Sequence, residues 1–434
     1  MIKVEDNRTV SVPSDENWDN LKWLAKLPIS KLGTDDGGSL LIFPQSFGEY
    51  GDKIGDEYIF SIKEEHHIQT GNIMGFVGYN GTELSICSRF AQKGGDYFLH
   101  YMLQKVFAIN LFDLKHDFDK ESVFDFLIFL FPAFLKRALR QGLYKEYQTR
   151  QYNDANVKGR IDVSRHIRLN TTFGGKISYS TREYSFDNKV TQLVRHTIEF
   201  ISSYSLGGNI LSADEETKEA VALINTATPS YQRSDRNRII SKNLKLTAHP
   251  YFIDYLDLQR LCLQILRHDE IKYGDDNEKV YGVLFDGAWL WEEYLATILS
   301  EFEHPRNKTG HGRKLLFTDG TGWCYPDFYN GQMVLDAKYK GYEDWYKVQN
   351  ADLYQVISYM HVLKLNRGGF VVPVSNDEKQ LTIKLLNGYG GQMTVFGMRV
   401  DKQCLTFSCF VNKMKMEESR LQESIREFVS KQSG

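Results

Sequence analysis

The spacing of apolar and polar residues changes character twice along the chain. From Met1 to about Arg89, short alternating runs are punctuated by Gly and Asn, as in "DEYIFSIKEEHHIQTGNIMGFVGYNGTELSI", which predicts strands joined by tight turns. One helical period interrupts them at "DENWDNLKWLAKL", whose acidic start suits a helix N-terminus. From about Gly94 to Asp275 amphipathic helical spacing takes over, clearest in "YFLHYMLQKVFAI", "VTQLVRHTIEFISSY" and "YLDLQRLCLQILRHDEI". Beyond the turn-rich "YGDDNEK", helices and strands alternate. The pattern predicts a multidomain chain with no internal repeat. A β-rich N-terminal domain spans residues 1–93, a mainly helical middle domain 94–275, and a compact α/β domain 276–434.

A length of 434 residues agrees with several domains rather than one core, and 42% hydrophobic with 25% charged residues describes a folded protein. Five scattered cysteines without a CxxC spacing argue against a disulfide framework, a zinc site or an iron-sulfur cluster, and make a reducing cytoplasm the expected location. The first residues, "MIKVEDNRTVSVP", alternate like a strand and lack the apolar core of a signal peptide. The greasiest run, "FLIFLFPAFL", is about half the roughly 20 residues needed to span a bilayer and contains Pro132, so a buried helix is expected and no membrane partner.

With a net charge of only −3, contact with nucleic acid has to come from local patches. The best is "HPRNKTGHGRK", which holds Arg306, Lys308, Arg313 and Lys314 and no acid. A second basic run, "RSDRNRIISKNLK", reads equally as a solvated face. No GxxxxGK[ST] occurs, which excludes a P-loop nucleotide site in this chain.

Chemistry concentrates in "CYPDFYNGQMVLDAKYKGY", Cys324 to Tyr342. Asn330-Gly331 predicts a two-residue hairpin turn, which sets Tyr329 against Gln332, Asp327 against Val334 and Tyr325 against Asp336. One face then carries Cys324, Pro326, Phe328, Met333, Leu335, Ala337 and Tyr339, and the other Asp327, Val334, Asp336 and Lys338. The two aspartates become diagonal neighbours about 7–8 Å apart, placed to share a hard divalent ion. A polar strand face turned to water gives the same pattern, and spacing alone leaves both readings open. Upstream, in "GAWLWEEYLATILSEF", Glu292 lies at the rim of an apolar helical stripe while Glu293 points away from it. Downstream, in "DLYQVISYMHVLKL", Gln355 and Tyr359 share a helical face.

The order Glu292, Pro326-Asp327, Asp336-Ala337-Lys338, Gln355-x-x-x-Tyr359 resembles the PD-(D/E)xK nuclease superfamily with the Q-x-x-x-Y tail of its RecB-like branch. Together with "VKGRIDVSRHIR", "EYSFDNKVTQLVRHTI" and "LYQVISYMHVLK", the chain resembles the McrC family, the nuclease subunits of McrBC-type modification-dependent restriction systems, over about residues 95–375. Its central acid is Asp336 where the pattern also permits Glu. The resemblance implies a restriction-endonuclease-like fold for residues 276–434, with Asp327, Asp336, Lys338 and Glu292 as catalytic residues. It further implies Mg²⁺, with Mn²⁺ able to substitute, held by Asp327, Asp336, Glu292 and the Ala337 carbonyl. DNA, expected to be modified, would be contacted by Arg306, Lys308, Arg313, Lys314, Gln355 and Tyr359. A separate McrB-like AAA+ GTPase hexamer would read and move along the DNA, with residues 1–93 docking on it. Two other expectations remain at this point: a non-catalytic activator of that ring, and a free-standing RecB-like nuclease.

Overall fold

A computed structural model describes residues 1–12, 17–32, 39–44, 58–107, 120–204, 207–267, 280–305, 312–342, 345–375 and 382–430. The chain gathers into two compact units, the first made of Met1–Phe126 with Ile271–Gly434 and the second of Leu127–Glu270. Among the described residues no helix is long and apolar enough to cross a membrane.

Unit one begins with β1 (Ile2–Glu5), β2 (Thr9–Ser11), α1 (Asn17–Lys26), α2 (Ile29–Leu32), β3 (Ser39–Phe43), β4 (Phe60–Glu64), β5 (His67–Thr70), β6 (Ile73–Tyr79), β7 (Thr82–Cys87) and α3 (Tyr97–Phe107). The expected strands and the one early helix are present. Trp18, Leu21 and Leu24 recur on one side of α1 and bury against Ile68, Val77 and Leu84. Helix α4 (Lys120–Leu139) contains the apolar run and carries Pro132 within it, and the division between the units falls inside this helix.

Unit two contains a sheet that the periodicity did not predict. It is formed by β8 (Glu146–Asp154), β9 (Arg160–Ile161) and, after α5 (Val163–Leu169), β10 (Ile177–Ser185), in the order β8-β10-β9. β8 reads "EYQTRQYND" and has no aliphatic residue, so no alternation of hydrophobicity could announce it. The rest is helical: α6 (Lys189–Ser202), α7 (Gly207–Leu211), α8 (Glu215–Ala227), α9 (Arg236–Asn243) and α10 (Asp254–Leu266). Asn188 opens α6 with a reciprocal cap. Its side chain accepts from Val190 N at 3.0 Å and Thr191 N at 3.2 Å, while Thr191 Oγ1 accepts from Asn188 N at 3.1 Å.

The chain then returns to unit one through β11 (Tyr281–Asp286), α11 (Gly287–Ile298), β12 (Lys314–Leu315), β13 (Trp323–Cys324), β14 (Phe328–Tyr329) and β15 (Val334–Ala337). It ends with α12 (Asn350–Leu363), β16 (Arg367–Val374), β17 (Lys384–Leu385), β18 (Gln392–Arg399) and α13 (Phe407–Ser430). Contacts part at Glu270, near the boundary expected at residue 276, but the chain beyond it joins Met1–Phe126 in one unit instead of standing as a separate domain. β11 lies inside the first sheet, ordered β1-β7-β6-β11-β3, antiparallel to β6 and parallel to β3. Glycines permit this approach: a Cβ on Gly75 (φ +122°) would stand 2.2 Å from the Val283 carbonyl oxygen, and one on Gly282 (φ +140°) 2.1 Å from that of Phe76.

The second sheet of unit one is mixed, ordered β14-β15-β16-β18-β17, with β15, β16 and β18 parallel. α12 forms the crossover from β15 to β16 and packs Val356, Tyr359 and Met360 on Val334 and Phe370. Trp291 of α11 donates its indole N–H to the Val371 carbonyl at 3.1 Å. The two sheets are joined next to the acidic strand. Arg89 pairs with buried Asp6 at 3.2 Å and lies over the Tyr339 ring at 4.8 Å, and the Tyr339 and Ser88 hydroxyls are 3.1 Å apart.

Candidate active site

The hairpin that presents the acids has a different register from the one its turn residues suggest. Asn330 Oδ1 accepts from the backbone N–H groups of Gln332 (2.9 Å) and Met333 (3.0 Å), so Asn330 to Met333 form a longer loop. Tyr329 therefore pairs with Val334, not Gln332, and Phe328 with Leu335. A shift of two residues preserves which side chains share a face, and carried one step further it sets Asp327 directly across from Asp336 rather than diagonal to it. In agreement, the Asp327 carboxylate accepts the Ala337 backbone N–H at 2.9 Å.

Asp336 has 0% exposure, and its Oδ1 has no hydrogen-bond partner. Lys338 Nζ stands 2.8 Å from Asp336 Oδ2, a buried ion pair. Burial, with the neighbouring Asp327 charge added, pushes the Asp336 carboxyl up to about 8. Burial and the Glu292 charge push Asp327 up to about 7. For Lys338, burial favours loss of the proton, but the carboxylates of Asp336, Asp327 and Asp352 outweigh it and raise its pKa, so the side chain is an ammonium at neutral pH.

α12 completes the surroundings of the lysine. Gln355 Oε1 accepts from Lys338 Nζ at 2.9 Å, and Gln355 Nε2 donates to the Tyr359 hydroxyl at 2.5 Å. Tyr359 is only 2% exposed, and burial followed by the two aspartates raises its pKa, so it is a neutral phenol. Both residues were expected to contact DNA. In the structure Gln355 bonds Lys338 and Tyr359 bonds Gln355, because the i, i+4 face of α12 turns inward onto β15. Asp352, which the sequence reading passed over, accepts from the Tyr342 hydroxyl at 2.7 Å and pairs with Lys340 at 3.0 Å, with Lys338 3.7 Å away.

On α11 both glutamates turn toward one ring, and Glu293 does not point away as expected. His304 Nδ1 lies 3.9 Å from Glu292 Oε1, and Nε2 lies 3.7 Å from Glu293 Oε1. The same Nδ1 is 2.9 Å from the Asp327 carbonyl oxygen. Burial disfavours the charged ring, but Glu293 and that carbonyl outweigh it and raise the His304 pKa. His304 sits in the segment read for its basic residues, where nothing in the spacing linked it to Asp327. Of those basic residues, Arg306 and Lys308 lie outside the described residues. Arg313 is exposed with its guanidinium 4.5 Å over the Trp323 ring, and Lys314 lies 4.7 Å over Tyr329, on strands that lead into Asp327.

The donor chemistry suits a hard divalent cation: carboxylates close together, raised in pKa by burial first and by neighbouring negative charge second, with Asp336 Oδ1 unpartnered. Among the described residues, no three His, Cys, Asp or Glu side chains are arranged as they stand to surround an ion. Asp327, Asp336, Glu292 and the Ala337 carbonyl are the groups from which ligands could be drawn.

No curated protein matches the sequence. Among solved structures the chain is similar to one described as a refined half-complex from a tetradecameric assembly of Thermococcus gammatolerans McrB AAA+ hexamers with bound McrC. The match has 15% identity and a TM-score of 0.48, and covers 98% of this chain and 99% of that one. A second, the cryo-EM structure of the Thermococcus gammatolerans McrBC complex, matches at 14% identity and a TM-score of 0.33, over 69% of this chain and 87% of that one. Residues 68–373 match the family described as McrBC 5-methylcytosine restriction system component, a span that takes in the unit-two sheet, α11, the acidic hairpin and α12. The chain belongs to the McrBC family of restriction system components.

Proposed function

We propose that this chain is the DNA-cleaving subunit of a McrBC-type restriction system, hydrolysing phosphodiester bonds with Mg²⁺, or Mn²⁺ in its place, at the Asp327–Asp336–Lys338 cluster. The observation that carries the reading is Asp336, a fully buried carboxylate whose Oδ1 lacks a hydrogen bond, beside a second buried acid and against one lysine. Two buried acids facing one lysine leave more negative charge than a purely structural core would keep, which supports a site that awaits a cation. Acids on paired strands of a mixed sheet, with the lysine two residues along and a crossover helix behind it, support a PD-(D/E)xK domain.

Asp327, Asp336, Glu292 and the Ala337 carbonyl would hold the ion, which when bound supplies Lewis acidity and a water of lowered pKa. Lys338, kept cationic by its carboxylate neighbours, donates a hydrogen bond to the attacking water or to the phosphate oxygen on which charge builds. Gln355 holds the ammonium, and Tyr359 holds Gln355, so the direction of the cation is set before substrate arrives. Arg313 and Lys314 would meet phosphates next to the cluster.

A restriction component without a P-loop needs a separate motor, and an AAA+ GTPase hexamer is the partner proposed. Unit two supplies a surface for it. α5 buries no residue, and Val163, Ile167 and Phe173 are 62%, 63% and 69% exposed. Exposed apolar surface of this kind suits a partner contact, which adds the sheet and helix of unit two to residues 1–93 as proposed docking surface.

The test uses the full chain with its cognate AAA+ partner and methylated DNA. Cleavage should require Mg²⁺ or Mn²⁺ and be lost in Asp336→Asn, with stimulation of GTP hydrolysis retained. Cleavage that survives chelator or Asp336→Asn would sink the proposal. A second reading, a DNA-binding activator without chemistry, draws on the lack of three convergent ligand side chains among the described residues. It expects GTPase stimulation with no cleavage in any metal.

A further inference from the structure

We infer that His304 is a positioning residue of the acidic cluster, holding the Asp327 peptide and the two α11 glutamates in one arrangement; the inference deepens the nuclease reading and rests on it. Asp327 precedes β14, a strand of only two residues, so the sheet ladder stops short of it. Its placement draws instead on contacts at its flanks. The carboxylate takes the Ala337 N–H, and the carbonyl faces His304 Nδ1 at 2.9 Å. A carbonyl can only accept, so Nδ1 carries the hydrogen.

The backbone delivers the ring to this spot. Glu303 and Tyr329 exchange two backbone hydrogen bonds, of 2.8 and 3.1 Å, which zip residues 303 and 304 along the outer edge of β14. The imidazole then stacks on Phe328 with centroids 4.7 Å apart and planes 19° from parallel. Its remaining nitrogen, Nε2, is buried and faces Glu293 Oε1 at 3.7 Å. Here one ring bridges the peptide of an acid that leads into β14 and two acids carried by α11. That is how a residue outside the ligand set orients the ligands, and loss of such a partner typically costs 10–100-fold in metal affinity.

The test compares full-length His304→Ala, His304→Asn and His304→Gln with wild type and with Asp336→Asn as a control. Mn²⁺ binding to the chain is measured by calorimetry, and exchange of the Ala337 amide hydrogen is followed without metal. The Asn amide nitrogen can stand where Nδ1 stands, whereas that of Gln stands nearer Nε2. His304→Asn should therefore stay close to wild type in both readouts. His304→Ala and His304→Gln should weaken Mn²⁺ about 10–100-fold and speed exchange at Ala337. Should His304→Ala fail to fold, the Asn–Gln contrast decides. Wild-type Mn²⁺ binding in all three His304 variants, with binding lost in Asp336→Asn, overturns the role of His304 and leaves the site standing. Equal loss in all three, with equally lowered melting, makes the histidine merely structural. Absence of Mn²⁺ binding in wild type overturns the site itself and this inference with it.

Discussion

The surroundings of β15 in unit one hide charge, whereas those of α5 in unit two expose apolar surface. Around β15 three aspartates, Asp327, Asp336 and Asp352, face two lysines, Lys338 and Lys340, in a setting where burial alone pushes carboxyls toward neutrality. Around α5, Val163, Ile167 and Phe173 stand in water although each would be more stable buried. Both arrangements cost folding free energy. They differ in what would repay it: a small cation and a phosphate in the first case, the surface of another protein in the second.

The largest expected effect is on cleavage. Asp336→Asn should lower it by about 100- to 1,000-fold or more, the scale seen when a charge-stabilising group is removed from an active site. At pH 8 in chelator the same variant should melt no lower than wild type, since it removes the excess negative charge of the cluster. Lys338→Ala should lose cleavage as well but melt lower, because three acids then face a single lysine. Identical melting of the two variants would break the contrast between stored charge and ordinary packing.

Next in size is the apolar side of the comparison. Ile167→Asp combined with Phe173→Asp should weaken partner binding by more than about tenfold, the cost typical of removing central contact residues, and reduce GTPase stimulation accordingly. Melting of the isolated chain should not change, since both side chains are exposed. Full stimulation by the double variant would remove this surface as the docking site.

A smaller effect is expected in the pH dependence of stability. Asp327 and Asp336 have folded pKa values of about 7 and 8 against an ordinary value of 3.8. Between about pH 4 and pH 8 the folded chain thus keeps protons that the unfolded chain has released, so stability falls as pH rises through that window. Thermal melting in chelator should show this decline. Asp336→Asn should flatten it, and Mg²⁺ should stabilise wild type most at the alkaline end. A melting temperature that rises from pH 5 to pH 8 in chelator would contradict the shifts.

The smallest effect belongs to the exposed cations. Arg313→Ala and Lys314→Ala should each weaken duplex binding a little and lower the salt slope by about one, whatever the DNA sequence. Salt titrations of binding in Ca²⁺ would read this directly, and an unchanged slope in both variants would separate these residues from the phosphate path.

Much of this was legible because it is local. The faces of the Cys324–Tyr342 hairpin follow from strand alternation, and they survived a two-residue error in register because such a shift is even. The turn itself was misread. Asn330-Gly331 favours a two-residue turn, but here the Asn330 side chain caps a longer loop through its own hydrogen bonds. The i, i+4 pairing of Gln355 and Tyr359 was legible too, but not its direction, since which side of a helix faces a sheet depends on what packs there.

The sequence alone determined the helical periods, the apolar run that becomes α4, the two-faced acidic hairpin and the absence of a nucleotide loop. Each depends on residues a few positions apart, where covalent geometry sets which side chains are neighbours. Tertiary structure decided the rest. It placed β11 between β6 and β3, so that the first and last thirds of the chain form one unit. It brought His304 to Asp327 across 23 residues, and Asp6 and Arg89 to Tyr339 across some 250 or more. It also left α5 exposed and Asp336 buried. Burial and long-range pairing belong to the whole packing arrangement, and no window of sequence records which surfaces meet.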